Sequence, residues 1–132
     1  MSQENVELVR SAYEAIARRD RDALAAILTD HLAPEFEFDA VLTGATYRGA
    51  DALWELLDDI QDTVGYTPEV EEALDLNDHV LVVLRMSGRG SHSGVSVAQQ
   101  GAVLFRFDGK MLVSGKSFGS RAEALGAAGI TE

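Results

Sequence analysis

The sequence predicts an α+β domain in which helices from the first third of the chain lie against a sheet built mainly from the last third. Three observations predict it. From Val80 to Phe118 the residues VLVVLRMSGRGSHSGVSVAQQGAVLFRFDGKMLVSGKSF read as three long consecutive strands. Near the N-terminus, apolar residues recur instead at helical spacing. In the middle of the three strands both parities are apolar or neutral, so both faces of the sheet expect cover, one from helices and one from a second subunit.

The first helix is amphipathic, with Val6, Val9, Tyr13 and Ile16 on one side and Glu4, Glu7, Arg10, Glu14 and Arg18 on the others; Ser2 is a candidate cap. The run Arg18 to Asp22 breaks that pattern. Asp20 or Asp22 can then cap a second, shorter helix carrying Leu24, Ile27 and Leu28. After Pro34, the residues Glu35 to Asp39 alternate as a strand. Phe36 and Phe38 share one face of it, and Glu35, Glu37 and Asp39 share the other, unless a bulge near Ala40 re-aims Asp39.

Val41 to Gly49 reads as a loop or short hairpin. A third helix follows, with Leu53, Trp54, Leu57 and Ile60 along one side, ended by Gly65 and Pro68. Glu69 to Leu76 forms a fourth strand, turning through Asn77-Asp78 into the β-branched run Val80 to Leu84. Gly88 to Gly94 is a loose turn, and Asp108-Gly109 is a tight hairpin signal. Finally Ser120-Arg121-Ala122-Glu123 fits a capping box that opens a short helix stopping at Gly129.

Composition sets the outer bounds. With 132 residues and no repeat or linker, the chain reads as a single domain spanning 1–132. Eleven Lys and Arg against 22 Asp and Glu give a formal charge of −11, the wrong sign for nucleic acid or an anionic membrane surface. Without cysteine there is no disulfide, thiolate metal site or thiol nucleophile. No basic start with an apolar core marks a signal peptide and no apolar run approaches membrane-spanning length, so a cytoplasmic protein is expected.

Five short motifs follow one another along almost the whole chain: Glu4-Asn5-Val6-Glu7-Leu8-Val9-Arg10 with Ala12-Tyr13-Glu14-Ala15; Asp22-Ala23-Leu24; Thr46-Tyr47-Arg48-Gly49; Asp108-Gly109-Lys110; and Arg121-Ala122-Glu123-Ala124-Leu125 before Ala128-Gly129. Their order and spacing resemble the SnoaL-like polyketide cyclase family, within the nuclear-transport-factor-2-like and ketosteroid-isomerase-like superfamily. The resemblance implies a cone-shaped, curved, mixed or antiparallel sheet wrapped around the N-terminal helices, a cystatin-like α+β roll. It further implies one deep apolar pocket and a homodimer formed through the outer sheet face. It does not choose an activity, because this fold hosts enzymes, binding modules and assembly domains.

In the isomerase branch, a helix tyrosine and a protonated aspartic acid hold an oxyanion while another carboxylate moves the proton. Tyr13 falls at the matching helix position and Asp39 near that of the base. Where the resemblance requires the acid, this chain has Ala102, Val103 and Leu104, which removes the group that steroid isomerisation needs. The cyclase branch implies a carboxylic acid and a histidine acting beside carbonyls. Of the three histidines, His31 is explained by the helix dipole at a helix end, and His79 by a strand start at the surface. His92, in the loop GRGSHSG, belongs either at a cavity mouth or in solvent. An epoxide hydrolase of the superfamily uses Asp-Arg-Asp, of which Asp39 and Arg85 are fragments without a second aspartate on the sheet.

Two readings stand. One is a pocket protein for a small hydrophobic or polyketide-like molecule, acting as a proton-transfer isomerase or cyclase with Asp39, Tyr13 and His92 as catalytic groups. Phe38, Trp54, Leu57, Gln100 and Phe118 would then line the site, with no metal and no cofactor. The other is a non-catalytic ligand-binding or assembly module. Each residue also has a plainer role: Tyr13 and Trp54 as core, Asp39 as a solvated strand residue, and Arg85 or Gln100 in a structural polar pair.

Overall fold

The computed structural model of the chain describes residues 2–40, 44–63, 67–89 and 96–129. Helix α1 (Ser2–Arg18) starts at Ser2 itself and buries Val6, Val9 and Ala15. Arg19 adopts a left-handed φ of 57°, and Asp20 caps helix α2 (Arg21–His31), its Oδ1 accepting from the Ala23 N–H at 3.0 Å. The two helices therefore turn back on each other within two residues, as the charge run between them predicts.

Strand β1 (Leu32–Ala40) pairs antiparallel with β2 (Ala45–Arg48), and Gly49, with φ of 79°, turns the chain into helix α3 (Gly49–Thr63). Then come β3 (Thr67–Asp75), β4 (His79–Arg89), β5 (Ser96–Asp108), β6 (Met111–Phe118) and helix α4 (Arg121–Ala127). The turn residues Asn77 and Gly109 both take positive φ, and the Ser120 Oγ accepts from the Glu123 N–H at 3.2 Å, completing the N-cap.

Among the described residues the strands form one open six-stranded sheet in the order β2-β1-β6-β5-β4-β3. Only β1 and β6 are parallel; every other neighbouring pair is antiparallel. The architecture is α+β, with a mixed sheet.

Alternation in β4 distributes the core over both faces. Val80, Val82 and Leu84 point to the side of α1 and α3, where they join Val6, Val9, Phe36, Phe38, Tyr47, Val103 and Phe105. Leu81 and Val83 point the other way and are fully buried with Leu104 beneath Ala124 and Leu125 of α4. Part of the outer face is thus covered from within the chain, by the short C-terminal helix, where the two-faced pattern predicted a second subunit. Beyond α4 that face is polar: Arg85, Arg106 and Lys116 are exposed.

At the opposite end of α1, the buried Asn5 Nδ2 donates to the Gly109 carbonyl at 3.0 Å, and Lys110 lies 3.4 Å from Glu4. The first turn of α1 is in this way fixed to the β5–β6 hairpin, which holds the helix across the sheet.

Candidate functional site

Between the helices and the sheet lies a cavity of about 410 Å³. Helical spacing supplies three of its walls. Leu8, Ala12, Tyr13 and Ile16 come from α1; Leu24, Ile27, Leu28 and His31 from α2; and Leu53, Trp54 and Leu57 from α3. Phe38, Ala40, Leu84, Val103, Phe105 and Leu112 make the floor from four strands. Its exposed lining residues, Arg19, Asp20, Arg21, Asp58, Gln100 and Gly119, mark the opening.

The floor depends on a glycine. A Cβ on Gly115 would lie 2.7 Å from Cδ2 of Phe38 and 3.0 Å from the Phe105 ring. Its absence lets the two rings approach to 6.2 Å between centroids, with Tyr13 stacked at a tilt 6.2 Å from Phe105 on the other side.

Tyr13 faces this space. Its partial exposure is to the cavity rather than to bulk water, and burial raises the phenol pKa well above its ordinary value because a phenolate would be poorly solvated there. No described residue hydrogen-bonds its hydroxyl, which stays protonated and available as a donor.

Asp39 is not brought to the cavity. The irregular register of β1 lies between Leu32 and Glu37, so Phe38, Asp39 and Ala40 alternate regularly: Phe38 and Ala40 line the cavity and Asp39 points out of the opposite face. There its carboxylate is exposed and accepts from Thr46 Oγ1 at 2.6 Å, while neighbouring Glu37 accepts from Arg48 Nε at 2.8 Å. The expected base is therefore a solvated strand residue, since no bulge re-aims it.

The other expected residues divide. Phe38, Trp54, Leu57, Gln100 and Phe118 all touch the cavity. Gln100 does so from its exposed rim, with Nε2 donating to Glu71 Oε1 at 3.1 Å, and Phe118 carries the Lys116 ammonium 5.7 Å over its ring. Arg85 is exposed. His79 starts β4 with Nδ1 3.5 Å from Asp78, and His92 lies outside the described residues.

Two features escaped the sequence reading. Arg21 forms an ion pair with Asp58 from α2 to α3 and places its guanidinium 5.1 Å over the Trp54 ring, joining the two helices at the rim. His31 also lines the cavity, and the sequence carries the signal: Leu24, Ile27, Leu28 and His31 stand at i, i+3, i+4 and i+7, one face of a helix. Among the described residues no cluster of His, Asp and Glu could hold a metal ion, and no helix is long and apolar enough to cross a membrane.

The profile of the SnoaL-like domain matches residues 9–114. The chain belongs to the SnoaL-like domain family. No curated protein matches its sequence. Solved structures match its fold. A protein of ketosteroid isomerase-like fold from Catenulispora acidiphila, in complex with trimethylamine, is 19% identical with a TM-score of 0.71, over 95% of this chain and 94% of that one. A candidate SnoaL-like polyketide cyclase from Jannaschia sp. CCS1 is 17% identical with a TM-score of 0.73, over 88% and 85%. A protein of cystatin-like fold from Xanthomonas campestris is 19% identical with a TM-score of 0.68, over 90% and 92%. At these identities the likeness establishes the fold.

Proposed function

We propose that this SnoaL-like protein binds a small hydrophobic or polyketide-like molecule in the cavity, with the Tyr13 hydroxyl as hydrogen-bond donor. The observation that carries the reading is the cavity: about 410 Å³, walled by apolar side chains, with the Tyr13 hydroxyl among them and no partner for it among the described residues. That volume lies in the range of small-molecule sites, and the mix of apolar walls with few polar groups is their usual lining. Burial of apolar ligand surface supplies affinity, and a donor set among apolar walls supplies orientation. Fold relatives crystallised with trimethylamine and with polyporic acid lend support, as proteins of this shape that meet small molecules.

Isomerase or cyclase chemistry needs a base beside the bound ligand. With Asp39 turned to the other face of β1 and bonded to Thr46, binding is favoured over proton transfer by Asp39. A homodimer would use the polar part of the outer face that α4 leaves open, around Arg85 and Arg106; light scattering in solution measures it.

Calorimetric titration with the bicyclic hydrocarbon indane tests the reading. The wild type should give saturable one-site binding. Ala12→Phe, which puts a ring into the ligand's space from α1, should bind at least about tenfold more weakly, or about 1.4 kcal/mol, while keeping its cooperative melt. No binding by the wild type, or equal binding by the variant, would overturn it.

A further inference from the structure

Beyond Tyr13, a second polar group stands in the apolar part of the cavity wall without a partner among the described residues. His31 ends α2 on the same helical face as Leu24, Ile27 and Leu28, all of which line the cavity. Its position at a helix C-terminus accounts for a histidine in the last turn, but not for one on the apolar, cavity-facing stripe. Its Nδ1 is shut off from solvent and has no hydrogen-bond partner among the described residues. Such a group in a native interior calls for an explanation, because a leucine at this point of the stripe would carry no desolvation cost.

The two ring nitrogens are not equivalent here. A proton on Nδ1 would be a buried N–H without an acceptor, the costliest arrangement available to the ring, whereas a bare lone pair there costs less. The proton of the uncharged imidazole therefore belongs on Nε2, the nitrogen that is not shut off in this way. On the proposed binding function, which this inference presupposes, we infer that His31 is a second recognition residue, donating from Nε2–H to an uncharged acceptor on the bound molecule. The apolar walls then offer two donors, from α1 and from α2, while the carboxylates Asp20 and Asp58 stand at the rim. Among molecules of one apolar shape that fit the cavity, it therefore binds those carrying an acceptor oxygen more tightly than the bare hydrocarbon.

The test compares two probes of nearly the same shape, indane and 1-indanone, by calorimetry on the intact protein. In His31→Leu, which keeps the volume and removes the donor, affinity for 1-indanone should fall about fivefold relative to indane, the factor expected for one lost net hydrogen bond. His31→Gln, with an amide donor near the position of Nε2, should restore part of that difference. A fall shared equally by both probes, or no fall, would overturn the inference. Should the wild type fail to bind indane at all, the binding function fails with it, so the two failures are distinct.

A second readout needs no substitution. Nitrogen-15 NMR of the wild-type imidazole should show the Nε2–H tautomer at His31 and a shift of that N–H on adding 1-indanone but not indane. An Nδ1–H tautomer, or an Nε2–H indifferent to the ketone, would contradict the assignment.

Discussion

The phenol of Tyr13 stands where water cannot solvate a phenolate, and a pH dependence follows from that. A tyrosine in the unfolded chain ionises near pH 10, and the folded-state value is higher. The unfolded state therefore releases its proton first. Stability from this residue is intact below about pH 10 and declines as pH rises from there toward the folded-state value. Urea midpoints at pH 8 and pH 11 should show a steeper loss for the wild type than for Tyr13→Phe; parallel losses would mean that Tyr13 is solvated. Asp39 gives the opposite case. Its carboxylate is exposed and, among the described residues, bonded to Thr46 on the outer face, so its change to Asn should leave indane affinity within about twofold and stability within about 0.5 kcal/mol. A collapse of affinity would return Asp39 to the site. Gly115→Ala should cost about 1–3 kcal/mol, because the new methyl meets Phe38 at 2.7 Å and the ring must move into the cavity. Urea denaturation measures the loss, and an unchanged midpoint would mean that the floor yields freely.

Among the elements, α1 lines one whole wall of the cavity, and its first turn is tied to the β5–β6 hairpin by a buried polar contact. Asn5→Ala removes the donor to the Gly109 carbonyl and leaves that oxygen without its side-chain partner, an expected loss of about 1–2 kcal/mol. The same variant should raise hydrogen exchange at the β5–β6 hairpin more than in β4, since the tether joins α1 to that turn; uniform exchange would contradict this. The elements were legible in the residues because each boundary carries its own chemistry: Asp20 and Ser120 as caps, Asn77 and Gly109 in left-handed turns, and β-branched runs between them. The cover over the outer face was less legible. Leu81 and Val83 announce that they are buried, but an alternating strand does not say by what, and a seven-residue helix with two buried residues is a weak signal for a lid over a sheet.

At the scale of the whole molecule, the candidate site was half visible in the sequence. Apolar periodicity places Tyr13, Trp54, Leu57 and Phe38 against a common space without three-dimensional information, because helix and strand periods dictate which face they share. Asp39 was ambiguous for the same reason: one residue of register decides between cavity and solvent, and a bulge leaves little trace in composition. His31 was passed over because a helix end already explains a histidine, although its place on the Leu24 stripe points inward. What joins these observations is the cavity, held open by a glycine below and by three helices above. Its occupancy can be seen directly by soaking crystals with 5-bromoindane and locating the bromine by anomalous scattering. Bromine density between Tyr13, Trp54 and Phe105 is the predicted result; a collapsed cavity, or bromine only on the outer sheet face, would contradict it.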